Sequence, residues 1–217
     1  MKQIYMFIWA MMVVMIITCA CSNHYWNNEE IEIINSDGDL LRVLTIEDEQ
    51  DSLFLRRQCK KIPPKALSEK TYSVLATKMI ATVTSPEQDG VGIAGPQVGI
   101  SRRIVAVQRF DKEGYPFEVY PNIRIVEHLG DPEPGPEGCL SVPGRRSEVL
   151  RYPEIEIRYT LPSEKGLPPR DTTERITCFT AVIFQHECDH LDGILYIDYH
   201  FTSAHRAIPS SLRSKGL

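Results

Sequence analysis

Two histidines four residues apart, the first followed directly by a carboxylate, stand in the run Gln185-His186-Glu187-Cys188-Asp189-His190. That spacing suits a metal ion and a water activated beside it. Residues four apart on an α-helix are offset by roughly 40°, so His186 and His190 project from one face, one turn apart. Glu187 is turned by about 100° from His186, too far round to be the obvious third ligand but close enough to take a proton from water. Cys188, about 200° round, points away and is expected in the core. The motif alone leaves a second reading open, in which both histidines are hydrogen-bonded core residues.

The elements that must position this run can be read around it. Phe179, Val182, Ile183, His186, His190 and Leu191 fall near one stripe of a 3.6-residue period, and Gly193 stands where a helix end takes a left-handed residue. The histidines therefore face inward on a buried helix. Upstream, Gly90-Val91-Gly92-Ile93-Ala94-Gly95-Pro96-Gln97-Val98-Gly99 forms a glycine-rich segment, and Glu137-Gly138-Cys139-Leu140-Ser141 sets a cysteine in a turn of small residues. Nucleotide binding by the glycines is disfavoured: Pro96 removes a backbone donor, and no Lys-Ser/Thr or full dinucleotide fingerprint follows.

The three segments, in this order, resemble the peptide deformylase family, whose pattern is G-x-G-x-A-A-P-Q, then E-G-C-L-S, then Q-H-E-x-D-H. The match runs from Gly90 to His190, with weaker resemblance upstream through Leu55-Arg56. One departure is Gly95, where the family has alanine; it is read as added flexibility without loss of a functional group.

The resemblance implies that Cys139, His186 and His190 hold one divalent ion, Fe2+ first and Zn2+, Ni2+ or Co2+ as alternatives, since a soft thiolate suits iron. It implies that Glu187 moves the proton, that the Gln97 side-chain amide and the Leu140 backbone N–H stabilise the oxyanion, and that the Gly92 carbonyl positions the substrate. That substrate would be an N-formylmethionyl peptide, with formate released. Phe179, Val182 and Ile183 would line a methionine slot bordered by Glu137 and Gly138. Arg146 and Arg151 are candidates for peptide contacts, weighed against solvated charge or a structural pair with Glu137. Two rivals remain: a zinc endopeptidase of the H-E-x-x-H type, with an oxygen or nitrogen third ligand, and a noncatalytic formyl-peptide-binding protein of the envelope.

The expected fold is α+β, with short antiparallel sheets around the buried C-terminal helix. Strands are expected at 40–46, 103–108, 118–126 and 154–159, and a helix capped by Ser68 at 68–84, with Tyr72, Leu75, Met79 and Ile80 on its apolar face. Residues 163–173 read as a hairpin connection, and the three prolines between 131 and 136 as a stiff approach to Cys139. A chain of 217 residues, six cysteines without a disulfide framework and net charge −5 fits one catalytic domain, favoured as a monomer. Without a Lys/Arg run, a nucleic-acid partner is excluded.

The division expected is 1–21 as a signal segment, 22–39 as a polar linker, 40–202 as the catalytic domain and 203–217 as a tail. Lys2, the apolar run 4–17 and Thr18-Cys19-Ala20-Cys21 read as an export signal resembling that of a bacterial lipoprotein, with Cys21 or Cys19 as the lipidated residue. Export or membrane attachment is expected, with a cytoplasmic location as the alternative.

Overall fold

The computed structural model describes residues 25–163 and 167–199, so the leader with Cys19 and Cys21 and the tail 203–217 lie outside the described residues. The first element, α1 (Asn28–Ile34), is closed by a capping box: the Asn27 side chain accepts from the Glu30 N–H at 2.8 Å, and the Glu30 carboxylate accepts from the Asn27 N–H at 2.9 Å. Trp26 and Ile34 are buried in the same cluster as Leu75 and Met79. This corrects the expectation of a polar linker over 22–39. Glu30 caps the helix and is buried, the other acidic residues face outward, and an apolar minority packs.

Residues 40–46 run extended, but no strand forms. Leu44 donates to the Gln97 carbonyl at 2.8 Å and Ile46 to the Ser141 carbonyl at 2.9 Å. Two partners on different segments cannot extend into one ladder. A short helix, α2 (Glu49–Leu55), capped by Asp48, follows. The next helix, α3 (Lys70–Val83), starts later than Ser68 because Pro64 opens a 3-10 turn over Pro64–Ser68. Tyr72, Leu75, Met79 and Val83 are buried, with Ile80 half-buried.

Three antiparallel sheets follow. The first joins β1 (Gly92–Ala94), β2 (Ile104–Gln108) and β3 (Phe117–Pro121) in that order, so the glycine-rich segment is a strand leading into a 3-10 turn over Gly95–Val98. The second contains β4 (Arg124–Leu129), β7 (Glu154–Leu161) and β8 (Arg170–Thr177), in the order β4-β7-β8. The third is the hairpin of β5 (Glu133–Cys139) and β6 (Val142–Arg151). The single strand expected over 118–126 is broken at Asn122, where φ is 57° and the side chain hydrogen-bonds both the N–H and the C=O of Ile62. Asparagine tolerates that left-handed conformation.

The last long helix, α4 (Cys178–Leu191), lies in a core built from both larger sheets, with Val105, Val107, Ile155, Ile157 and Ile176 around Ala181, Phe184 and Leu191. Cys188 is buried there, as its angular position required, and Cys178 is exposed at the helix start. Gly193 (φ 75°) ends the helix, its N–H donating to the His190 carbonyl and that of Ile194 to the Asp189 carbonyl. The architecture is α+β, as expected. No helix among the described residues is long and apolar enough to cross a membrane.

Candidate active site

The β5–β6 hairpin turn brings Cys139 against α4. Its Sγ lies 3.2 Å from Nε2 of His190 and accepts from the Ser141 N–H at 3.4 Å. Ligand atoms of Cys139, His186 and His190 all lie within 4.8 Å of one another. Among the described residues no fourth His, Cys, Asp or Glu joins the group. One thiol and two imidazoles without a fourth protein ligand fit a catalytic rather than a structural metal site.

A buried ionic chain holds the first histidine. Nδ1 of His186 is 2.8 Å from the Glu137 carboxylate, leaving Nε2 as the nitrogen for a metal bond. Glu137 in turn accepts from Arg151 at 2.7 and 3.1 Å, and Arg151 reaches Asp189 at 2.7 Å. Burial opposes the charge on Glu137, but hydrogen bonds from His186 and Arg151 prevail and hold its pKa at about 2. For His186, burial is likewise outweighed, by Cys139 and Glu137, and its pKa rises. That of His190 falls, from burial and then from the neighbouring His186.

These contacts correct one expectation and favour one of the alternatives weighed for Arg151. Glu137 is a buttress behind His186 rather than a wall of a substrate slot, and Arg151 is the structural partner of Glu137. Gly138 and Arg146 remain exposed on the hairpin.

Glu187 is 3% exposed, and its Oε2 is buried without a hydrogen-bond partner. Burial pushes its pKa up to about 7. Gly92 faces it so closely that a Cβ there would stand 2.5 Å from Oε1 and 2.8 Å from Cγ2 of Ile183. Gln97 is oriented by its own turn: Oε1 accepts from the Ala94 N–H at 2.8 Å, which aims Nε2 at Cys139 Sγ (3.5 Å) and Ser141 Oγ (3.3 Å). The Leu140 N–H belongs to the same hairpin turn.

Gly95 differs from its sequence reading. A Cβ there would approach the carbonyl oxygens of Arg102 and Ile100 to 2.7 and 2.8 Å, so glycine permits close backbone packing rather than added flexibility. Ile183 is buried beside Gly92 and Val182 is half-buried, but Phe179 is 53% exposed and packs on Phe110 with centroids 5.4 Å apart. Phe179 shares the helical stripe yet lies about 10 Å further along the axis from His186, at 1.5 Å per residue. Sequence reasoning missed Ser141 as a partner of Gln97 and Asp189 as the end of the Arg151 chain. Asp189 and Ser141 each sit inside a motif, and those positions were the available signals.

The sequence model of the family described as polypeptide deformylase matches residues 40–206. "Peptide deformylase 2" of a Nostoc species is 43% identical over 138 residues, 61% of this chain and 73% of that protein. The peptide deformylase of Desulforudis audaxviator is 38% identical over 142 residues, 65% of this chain and 82% of that one. The structure of the class I type b peptide deformylase from Acinetobacter baumannii bound to Met-Ala-Ser superposes with a TM-score of 0.61 at 32% identity, covering 73% of this chain and 97% of that one.

Proposed function

The chain belongs to the polypeptide deformylase family, and from that premise we propose how its own residues divide the work. It is a metal-dependent hydrolase that removes the formyl group from the N-terminus of peptides. In the reading advanced here Cys139, His186 and His190 hold the ion, with Fe2+ favoured by the thiolate and Zn2+, Ni2+ or Co2+ as substitutes. When bound, the ion supplies Lewis acidity that polarises a carbonyl and makes water acidic near neutral pH.

The protein supplies the rest. Glu187 accepts the proton of the attacking water at Oε2, the atom with no partner, and delivers it to the leaving amine. The Gln97 amide, held by Ala94, and the Leu140 N–H donate to the oxyanion. The Gly92 carbonyl aligns the substrate backbone. Ile183 and Val182 border the methionine side chain, with Phe179, Gly138 and Arg146 further out, where a longer peptide would pass. The tripeptide Met-Ala-Ser bound by the Acinetobacter enzyme supports an N-formylmethionyl peptide as the substrate.

One observation carries this reading: a thiol and two imidazoles converge beside a buried carboxylate whose one oxygen has no partner. It disfavours the endopeptidase rival, which requires an oxygen or nitrogen third ligand. Protein loaded with ferrous or nickel ion is expected to release formate from formyl-Met-Ala-Ser; absence of turnover with both metals rejects it. For residues 1–21 we retain the reading of an export signal with a lipidated Cys21 or Cys19, ahead of a monomeric catalytic domain. Mass spectrometry of the mature N-terminus tests it, and an intact Met1 on soluble protein would overturn it.

A further inference from the structure

A second polar feature lies outside the catalytic groups. A cleft of about 340 Å³ opens between the Lys61–Pro64 segment and the second sheet, lined by Lys61, Pro63, Arg124, Arg158 and Asp171. Arg124 on β4 and Arg158 on β7 are directly opposite in the antiparallel register. Like charges facing each other across a ladder destabilise it unless an anion intervenes. Asp171 reaches Arg158 at 3.2 Å with one oxygen while its other oxygen accepts from Thr160 Oγ1 at 2.9 Å, so it offsets one of the three cations of the cleft. Among the described residues neither Lys61 nor Arg124 has a carboxylate within ion-pair distance. In a chain of net charge −5, this cleft is locally basic.

The place where the N-terminal stem joins the domain gives the cleft its context. Arg102 donates to the Tyr25 carbonyl at 2.9 Å and to the Lys61 carbonyl at 3.4 Å, so the stem arrives beside Lys61. The same guanidinium is clamped by Glu30 at 2.6 and 2.7 Å and lies over the Trp26 ring. Only Ser22, Asn23 and His24 separate Cys21 from Tyr25. Four Cα steps span at most about 14 Å. A stem anchored at Cys21 thus keeps Tyr25, and Lys61 next to it, within about two Debye lengths of a bilayer surface.

The geometry points to the cleft of Lys61, Arg124 and Arg158 as a docking site for the phosphate of an anionic lipid headgroup. This rests on the membrane-attachment reading of residues 1–21. The anchor holds the chain at the bilayer, and the cleft fixes which face of the domain lies against it.

The test is flotation of the full-length chain with vesicles of phosphatidylcholine alone or with three-tenths phosphatidylglycerol. The intact chain binds both through its N-terminal anchor and prefers the anionic vesicles about thirtyfold, the scale of two basic groups near a charged surface. Arg124→Gln with Arg158→Gln removes the preference while binding to neutral vesicles and formate release persist. Equal partition of the intact chain, or a preference that survives the double substitution, overturns the assignment. Failure to float with either vesicle overturns the membrane reading itself and the docking site with it. Inorganic phosphate raising the melting temperature of the intact chain but not of the double variant, without any vesicle preference, reassigns the cleft to a soluble phosphate and overturns the lipid.

Discussion

Two buried ionic clusters flank α4, and they differ in what they leave open. Near the helix start, Arg109 is 1% exposed and is met by Asp111 at 2.6 and 2.8 Å, Glu174 at 2.7 Å, Glu118 at 3.2 Å and the Tyr120 hydroxyl. Every arm of that guanidinium is engaged. Near the helix end, Glu137, Arg151 and Asp189 are as tightly paired, but the cluster they support ends in a thiol and two imidazoles that could share one metal ion, next to the buried Glu187. Burial of charge marks both places. A set of metal-ligating atoms gathered on one side marks the one that does chemistry.

The largest effect that would sharpen this contrast is expected at Glu187. Glu187→Gln should lower formate release by about 10²–10⁴-fold, the usual worth of a general base, with metal content unchanged by elemental analysis. Loss of metal together with activity would make Glu187 a ligand instead. At the closed cluster, Arg109→Met should lower unfolding stability by about 2–3 kcal/mol and leave kcat alone. That is less than the ~3–5 kcal/mol for an enclosed pair, because Asp111, Glu118 and Glu174 keep 22%, 35% and 27% exposure. Denaturant melts would check it, and a fall in kcat at full folding would blur the distinction between the clusters.

Glu137→Gln is expected to weaken metal affinity by about 10–100-fold, as for other groups that orient a ligating histidine. Competition with a chelator measures it; unchanged affinity would demote the pair to packing. The smallest effect concerns acid. The Arg109 hydrogen bonds hold Asp111 below its ordinary 3.8, and Lys112 and Tyr120 overcome burial to hold Glu118 below 4.5. Both folded values are depressed, so their stabilisation is present above the ordinary values and fades as pH falls through the lower folded ones. The stability gap between the parent and Arg109→Met should therefore narrow below those values. A gap that stays constant to the acid transition would show that packing, not charge, accounts for the loss.

Much of the site could be read from the sequence because its parts are local. The i, i+4 histidines, the intervening carboxylate and the αL Gly193 all depend on one helix, and helical geometry is fixed by residue spacing. The role of Glu137 was not legible, because its partner is 49 residues away and a carboxylate beside a cysteine looks the same whether it faces substrate or a ring nitrogen. Gly95 was misread for the same reason: its tight neighbours belong to residues 100–104, and no local rule announces a close backbone approach. Asn122 broke a strand that propensity alone would have continued. The packing of α1 was hidden because its buried residues are few and its surface is acidic.

Gly92 shows that a missing atom can be part of the machinery. With less than a methyl's clearance between β1 and the Glu187 carboxylate, the side chain is denied a whole hemisphere of motion and can move only away from the strand. The confinement is built into the backbone and needs no side-chain partner on the strand. A side chain at that position would push the base aside without touching the three metal-ligating side chains or the Gln97 amide.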